Sequence, residues 1–397
     1  MRKIVFFCLF VVPLIKVAVA RKRSNVKCVP ISSNGEKSCL MTNVCLDYPD
    51  RTFFVNSNIE YNTLKLYSND IQSRDRPWTI KYSSHLSEID QSTFIPGTHV
   101  VAERFASNNW GHVIGDEVYA TFNALHLWNI TNPSDIMSVN ILTDFLSESL
   151  DVYKILMDGK ITPYTQDKTL KCYDRVIAGI NTLGFVSTNR NILEPTSFRL
   201  RRLTRFVYKR LGIPLVQPAE GTGLSVVLVE KGNVCDHCHR FSSDALVQHL
   251  DTIFGSKLSI KRVSWDIMPV IEQVKLLSNA DVMIAMSGSD VMNAIYMRHH
   301  THLFILCRSR ECDGNVFCGY EHERWFSHWG SDRARCFCAP KLFTTDRYLC
   351  TEGSTPSPSS MLNLTEDMFD RDFEQLISKR DRRKQRVHGV LESNQTL

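Results

Sequence analysis

Residues 108–117 read Asn-Asn-Trp-Gly-His-Val-Ile-Gly-Asp-Glu, the stretch whose residue types come closest to a reaction centre. His112 and Asp116 stand four apart, so a helix brings them onto one face. An imidazole held by a carboxylate is suited to taking a proton from an attacking hydroxyl. Asn108 or Asn109 can cap such a helix, and Glu117 adds a second carboxylate that could shape the acceptor site. The plainer alternative is a capped helix with a local His–Asp pair.

A second candidate is Ser287-Gly288-Ser289-Asp290, which follows an apolar run and opens a helical one. Small residues at a strand-to-helix turn let backbone N–H groups and the helix dipole reach a phosphate. The plainer alternative is an ordinary tight turn capped by Ser289. Cys235-Asp-His-Cys238-His239 matches the C-x-x-C-H haem-attachment pattern and supplies zinc-type ligands. Its polar surroundings, with Lys231 and Arg240 nearby, fit a disulfide-bearing loop better, so neither haem nor metal is expected. The Asp-x-Asp triplet Asp370-Arg-Asp372 lies in a late helix rather than at the end of a core strand, where a metal-dependent transferase would hold its cation.

The elements that must position these residues follow from periodicity. Leu224–Val229, Leu258–Trp265, Asp281–Met286 and Leu303–Cys307 read as strands. Between them Ser243–Ile253, a segment opened by Pro269 and running to Leu277, and Ser289–Arg298 read as helices. Strands alternating with helices of about ten residues predict βαβ units and a doubly wound parallel sheet. Upstream, His99–Phe105, Val139–Thr143 and Arg175–Ile180 read as strands. His112–Trp128 reads as an amphipathic helix, and Phe198–Leu211 as a helix with a cationic face, stopped by Gly212 and Pro214. Residues 21–95 form a mixed, partly β lead-in with three cysteines. Gly353–Ser360 is linker chemistry, followed by a helix over Met361–Lys379 with Phe369, Phe373 and Ile377 on its buried face, and a basic tail.

The address is read from the N-terminus and the cysteines. Arg2 and Lys3, an apolar run from Ile4 to Ile15, and Ala18-Val19-Ala20 make a secretory signal pattern, with a type II anchor as the alternative. The chain has 13 cysteines, and removing Cys8 with the leader leaves an even number, as disulfides in an oxidising lumen require. Asn129, Asn363 and Asn394 each begin an N-x-Thr sequon. Formal charge is only +5 over 397 residues, with 43% hydrophobic and 22% charged residues. That excludes a nucleic-acid footprint, disorder and coiled coil, and no segment beyond the N-terminus suits a membrane span.

With these segments laid out, the chain resembles glycosyltransferase family 61, which contains lumenal protein O-linked GlcNAc transferases and plant β-1,2-xylosyltransferases. The resemblance covers roughly residues 96–310. It is carried by Asn109-Trp-Gly-His112 with Asp116, by the Phe198-to-Pro214 helix, by the Leu224–Val229 strand, and above all by Glu272-Gln273 through Asp281 to Gly288 and Asn293. The sequence departs from the family pattern at Ser287, where a His is usual, at Asp290, where a Gly is usual, and at Glu230-Lys231, where an Arg is usual.

The resemblance implies a GT-B-like α/β architecture of two Rossmann-like, doubly wound domains. The implied division is residues 1–20 as leader, 21–95 as lead-in, 96–215 as acceptor-side domain and 216–310 as donor-side domain. A Cys-rich segment over 311–352 and a linker, helix and tail over 353–397 complete it. It also implies an inverting transferase of the secretory pathway, in the endoplasmic reticulum or Golgi lumen, with secretion as an alternative. The reaction would move a GlcNAc- or xylose-type sugar from a nucleotide sugar, expected to be UDP-linked, to a glycoprotein or glycan hydroxyl without a metal. His112 and Asp116 are then the catalytic candidates, with Asn109 and Glu117 shaping the acceptor site and Lys231, Arg240, Gly288, Ser289 and Asn293 on the donor. The competing implication, raised by Ser287 and Asp290, is a catalytically degenerate member that acts as a lumenal binding or scaffold protein.

Overall fold

The computed structural model describes residues 23–31, 37–57, 64–66, 78–87, 89, 93–102, 104, 110–132, 135, 139–143, 150–163, 170–180, 196–215, 223–230, 243–286, 289–298, 301–307, 334–338 and 370–382. The leader, the Cys235–His239 loop, most of the Cys-rich segment, the linker and the end of the basic tail expected from the sequence lie outside them. The start of that tail, expected to be solvated from Lys379 on, instead continues a helix in which Arg380 pairs with Asp281.

Nine strands form the first sheet: β1 (Asn25–Pro30), β2 (Lys37–Asp47), β3 (Thr52–Val55), β4 (Leu64–Leu66), β5 (Trp78–Tyr82), β6 (Ile95–Ala102), β7 (Asn140–Thr143), β8 (Ile161–Pro163) and β9 (Lys171–Ala178). Their order is β4-β5-β3-β2-β9-β6-β7-β8, with β1 also on β2. The second sheet contains β10 (Leu224–Val229), β11 (Leu258–Val263), β12 (Val282–Met286), β13 (His302–Cys307) and β14 (Ala334–Cys338), in the order β11-β10-β12-β13-β14. All four pairings of this second sheet are parallel, as its βαβ pattern predicts.

The first sheet differs from the doubly wound expectation. β9-β6-β7-β8 form a parallel block, but the lead-in joins it antiparallel through β2, and within the lead-in only β3 and β5 are parallel among the described strands. β2 lies antiparallel against β9, with Cys45 directly opposite Cys172, and the two are joined by a disulfide. Cys28 likewise faces Cys39 across β1–β2 and is bonded to it. Residues on both sides of position 95 therefore share one sheet.

The helices are α1 (residues 110–127), α2 (Thr196–Leu211), α3 (Ser243–Phe254), α4 (Val270–Ser278) and α5 (residues 370–382). Side-chain alternation along the second sheet builds two cores. Val227, Val229, Met283, Ala285, Leu303 and Ile305 point one way, into a core shared with α1, α2, α4 and the first sheet's Val100, Ile141 and Ile177. Leu224, Val226, Leu228, Val282, Ile284, Phe304 and Leu306 point the other way, under α3 and α5. Burial on both faces is why β12 reads as an unbroken apolar run.

Three expected elements are corrected. The segment predicted as an amphipathic helix over His112–Trp128 is buried on nearly every side, from Val113 to Leu125, because α1 lies in the core between the sheets. Within it Val113–Val118 form a π-helical turn, and the Tyr119 N–H donates to the Ile114 carbonyl. The segment predicted as a helix from Ser289 to Arg298 is a 3-10 helix over Ser289–Tyr296, whose three-residue turn puts Asp290, Asn293 and Tyr296 on one ridge. β11 ends at Val263, and Trp265 instead opens a short 3-10 turn over Trp265–Ile267.

Candidate active site

Both sheets reverse their strand order once, and those reversals mark the candidate site. In the first, the chain runs β6 to β7 to β8 on one side, and β9 then returns to the other side of β6. In the second, β10 leads to β11 on one side and β12 returns on the other. Crevices outside the carboxyl ends of strands at such switch points are where open α/β sheets bind ligands. α1 follows the carboxyl end of β6, and the Ser289–Tyr296 helix follows that of β12. The two meet where the Trp110 indole Nε1–H donates to Asn293 Oδ1 at 2.8 Å, linking residues 183 apart.

His112 stands one residue beyond Gly111 from that contact, at the start of α1. Its Nδ1 lies 2.7 Å from Asp116 Oδ2, the i,i+4 pair expected from the sequence. The His112 side chain retains 30% exposure and that of Asp116 only 7%. A carboxylate on Nδ1 selects the tautomer with its proton there, so the basic lone pair resides on Nε2. Asp116 sits within the π turn, and the rest of α1 is locked in the core. An oriented imidazole of this kind is equipped to accept a hydroxyl proton, with Asp116 stabilising the imidazolium that results.

Glu117, expected to shape the acceptor site, points elsewhere. It is 1% exposed, and its Oε2 accepts from Arg104 Nε at 2.9 Å and from the Tyr153 hydroxyl at 3.3 Å. Burial first, then the Glu117 carboxylate, pushes the Tyr153 phenol well above its ordinary pKa, so it stays a neutral donor. Glu117 is therefore the centre of a buried polar cluster beneath α1. Arg104 and Tyr153 were not singled out by sequence, because nothing local marks a partner thirteen or thirty-six residues away.

Asn293, expected on the donor, has its side chain turned inward. It is fully buried, with Oδ1 accepting from Trp110 and Nδ2 donating to Gln273 Oε1 at 3.0 Å. Gln273 Nε2 in turn donates to the carbonyls of Trp265 (3.1 Å) and Met268 (2.7 Å). Trp265 Nε1 donates to the Asp290 carbonyl at 3.3 Å, which returns the network to the 3-10 helix that carries Asn293. The sequence held a signal for Gln273, in the Glu272-Gln273 pair, but not for its role.

Ser289 and Asp290 are half-buried at the head of that 3-10 helix. Asn109, Lys231, Arg240, Ser287 and Gly288 lie outside the described residues. At the same edge of the second sheet sits a cation that sequence reasoning missed. Arg262 donates to Glu230 Oε1, Asp244 Oδ1 and Ser243 Oγ, each at 2.6 Å, and Glu230 above all raises its pKa. Asp370 of the Asp-x-Asp triplet pairs with His249 Nε2 at 2.9 Å. Among the described residues, no group of three His, Cys, Asp or Glu could hold a metal ion.

Residues 110–304 match the family model described as Glycosyltransferase 61. None of the curated proteins compared with the chain matches it. Similar solved structures include the iron-containing dodecameric heptosyltransferase TibC in complex with ADP-D-β-D-heptose, at 9% identity over 71% of this chain and 77% of that one, with a TM-score of 0.28. They also include TibC from enterotoxigenic E. coli, at 12% identity over 72% of this chain and 77% of that one, with a TM-score of 0.27. A third is the Flv1 flavodiiron core from Synechocystis, at 9% identity over 80% of this chain and 94% of that one, with a TM-score of 0.21. At these TM-scores the similarities carry no argument.

Proposed function

The chain belongs to the glycosyltransferase 61 family, and from that premise we propose that it is an inverting glycosyltransferase with His112 as its base. The observation that carries this reading is the His112–Asp116 pair at 2.7 Å, with the imidazole partly open to solvent and the carboxylate buried, at the head of a helix that is otherwise buried. The His112 Nε2 takes the proton of an acceptor hydroxyl as its oxygen attacks the anomeric carbon. The bond from that carbon to the nucleoside diphosphate breaks, its electrons leave with the diphosphate, and the configuration inverts. The Asp116 carboxylate offsets the positive charge of the His112 imidazolium until the proton passes to solvent.

The donor is a nucleotide sugar, UDP-linked and of GlcNAc or xylose type, and the acceptor a protein or glycan hydroxyl. We assign the donor diphosphate to the second switch point, where Ser289 opens the 3-10 helix, with Lys231, Arg240 and Gly288 as the partners expected from the family resemblance. The scheme uses no metal: the Asp-x-Asp triplet belongs to α5, where Asp370 pairs with His249. The two disulfides among the described residues support an oxidising secretory-pathway lumen as its location. Among the described residues, no helix is long and apolar enough to cross a membrane.

The test is His112→Ala, assayed with UDP-GlcNAc and UDP-xylose against a tryptic digest of secreted glycoproteins. Loss of a general base lowers turnover by about 10²–10⁴-fold. Folding and donor affinity should hold. A folded His112→Ala protein with full transfer would remove the assignment. Wild-type protein that binds neither donor would favour the scaffold reading, with Ser287 and Asp290 as its cause.

A further inference from the structure

We infer that Trp110, Asn293 and Gln273 form a positioning relay that fixes the base-bearing end of α1 against the donor-side 3-10 helix, and so couples acceptor activation to donor cleavage. This inference rests on the transferase reading above.

The geometry is a closed chain of side-chain hydrogen bonds. Trp110 donates to Asn293, Asn293 to Gln273, Gln273 to the Trp265 and Met268 carbonyls, and Trp265 to the Asp290 carbonyl on the helix where Asn293 sits. Asn293 and Gln273 are 0% and 2% exposed, so their amides have no water to fall back on and their orientations are fixed by one another. The 3-10 turn makes this possible. Asp290, Asn293 and Tyr296 recur every third residue, and each is bonded by a different neighbour: the Asp290 carbonyl by Trp265, the Asn293 side chain by Trp110 and the Tyr296 carbonyl by Tyr208.

The acceptor-side half grips this helix at three points. Besides Trp110, Thr204 Oγ1 and the Tyr208 hydroxyl of α2 donate to the carbonyls of Ile295 and Tyr296, each at 2.6 Å. The α2 contacts hold its far end, and the Trp110 contact holds its middle, two residues from His112. Of the three, Trp110 alone belongs to the helix that bears the base. Reaction requires the His112 Nε2, the acceptor oxygen and the anomeric carbon to fall in line, and a displacement of about 1 Å can cost on the order of 10²-fold. Hydrolysis of bound donor by solvent water needs only the donor half-site in register.

The relay therefore makes a prediction that a merely structural hydrogen bond does not. Trp110→Phe and Asn293→Ala should each lower transfer by about 10²-fold. Donor hydrolysis and donor Kd, measured with UDP-GlcNAc and UDP-xylose, should stay near wild type. The double variant should be no worse than either single one, since both break the same link. Should Trp110→Phe fail to fold, benzothienylalanine at position 110 keeps the bicyclic shape, lacks the N–H donor, and carries the same expectation.

A parallel fall in transfer, hydrolysis and folded yield would overturn the relay and leave only a packing role. Unchanged transfer in a folded variant would overturn it as well. Wild-type protein with neither transfer nor hydrolysis, or His112→Ala with normal transfer, would instead overturn the transferase reading, and the relay with it.

Discussion

Arg380 Nη1 lies 2.6 Å from Asp281 Oδ2, so the far C-terminal helix is fastened to the residue just before β12. The same carboxylate accepts from the Ser225 backbone N–H at 2.9 Å, which joins β10 to the arrangement. α5 also buries Phe373 between Phe254 and Phe304, with ring centroids 5.6 and 5.1 Å away, and pairs Asp370 with His249. Although it follows linker chemistry in sequence, α5 completes the outer core of the second sheet. Phe373→Ala should cost about 3–5 kcal/mol, read as a lower urea midpoint with an unchanged slope. A loss within the range of a surface substitution would show that α5 is dispensable to that core.

Glu117 gives a second prediction, about what holds α1 in place. Its carboxylate and the Arg104 guanidinium are both sequestered from water, and removing one partner of such a pair costs about 3–5 kcal/mol. Glu117→Leu alone should therefore be strongly destabilising. The paired replacement Glu117→Leu with Arg104→Met should recover much of the loss, since no uncompensated charge remains. Equal destabilisation by the single and double variants, measured by chemical unfolding, would exclude this account.

In the second sheet β14, Ala-Arg-Cys-Phe-Cys, has no apolar run and was not legible. The other four strands, β10 to β13, were legible because each is a short apolar run next to a helical segment close in the chain. His112–Asp116 was legible for the same reason: the contact spans one turn. What escaped the sequence depends on distance along the chain. Cys45 pairs with Cys172 and Arg104 with Glu117, and no periodicity encodes either partner. The pairing of β2 with β9 makes the first sheet mixed, and only tertiary structure decides that. Asn293 was placed on the donor because it follows the phosphate-type turn; the tight 3-10 winding instead turns it inward to Trp110.

The third prediction concerns Asn129, the sequon asparagine within the described residues. It is exposed just beyond α1, in the left-handed region at φ 57°, where asparagine is better tolerated than most residues. Removing the sequon through Asn129→Gln would thus mix loss of a glycan with backbone strain. Thr131→Ala avoids that. In protein expressed through a secretory pathway, it should abolish the glycosidase-sensitive mass increment of the tryptic peptide carrying residue 129, with little change in Tm. A wild-type peptide without that increment would show that the site is not used.

The fourth prediction links pH to stability through His99. The ring is 3% exposed on β6, with Nε2 donating to the Pro96 carbonyl at 3.2 Å and its centroid 4.6 Å from that of Tyr173. Burial lowers its pKa, opposed by the Pro96 contact and the charge of Asp174. The folded state therefore binds this proton less readily than the unfolded chain, where histidine titrates near 6.5. Whenever the unfolded state holds more protons, stability rises with pH. The His99 contribution is thus fully present above about pH 6.5 and is lost as pH falls from there toward the lowered folded value. His99→Gln removes the titration while keeping a polar side chain. Urea unfolding of both proteins at several pH values between about 5 and 7.5 should show wild type losing more stability than the variant toward the acid end. A difference between them that does not vary with pH would mean that His99 is not a buried neutral imidazole in the folded protein.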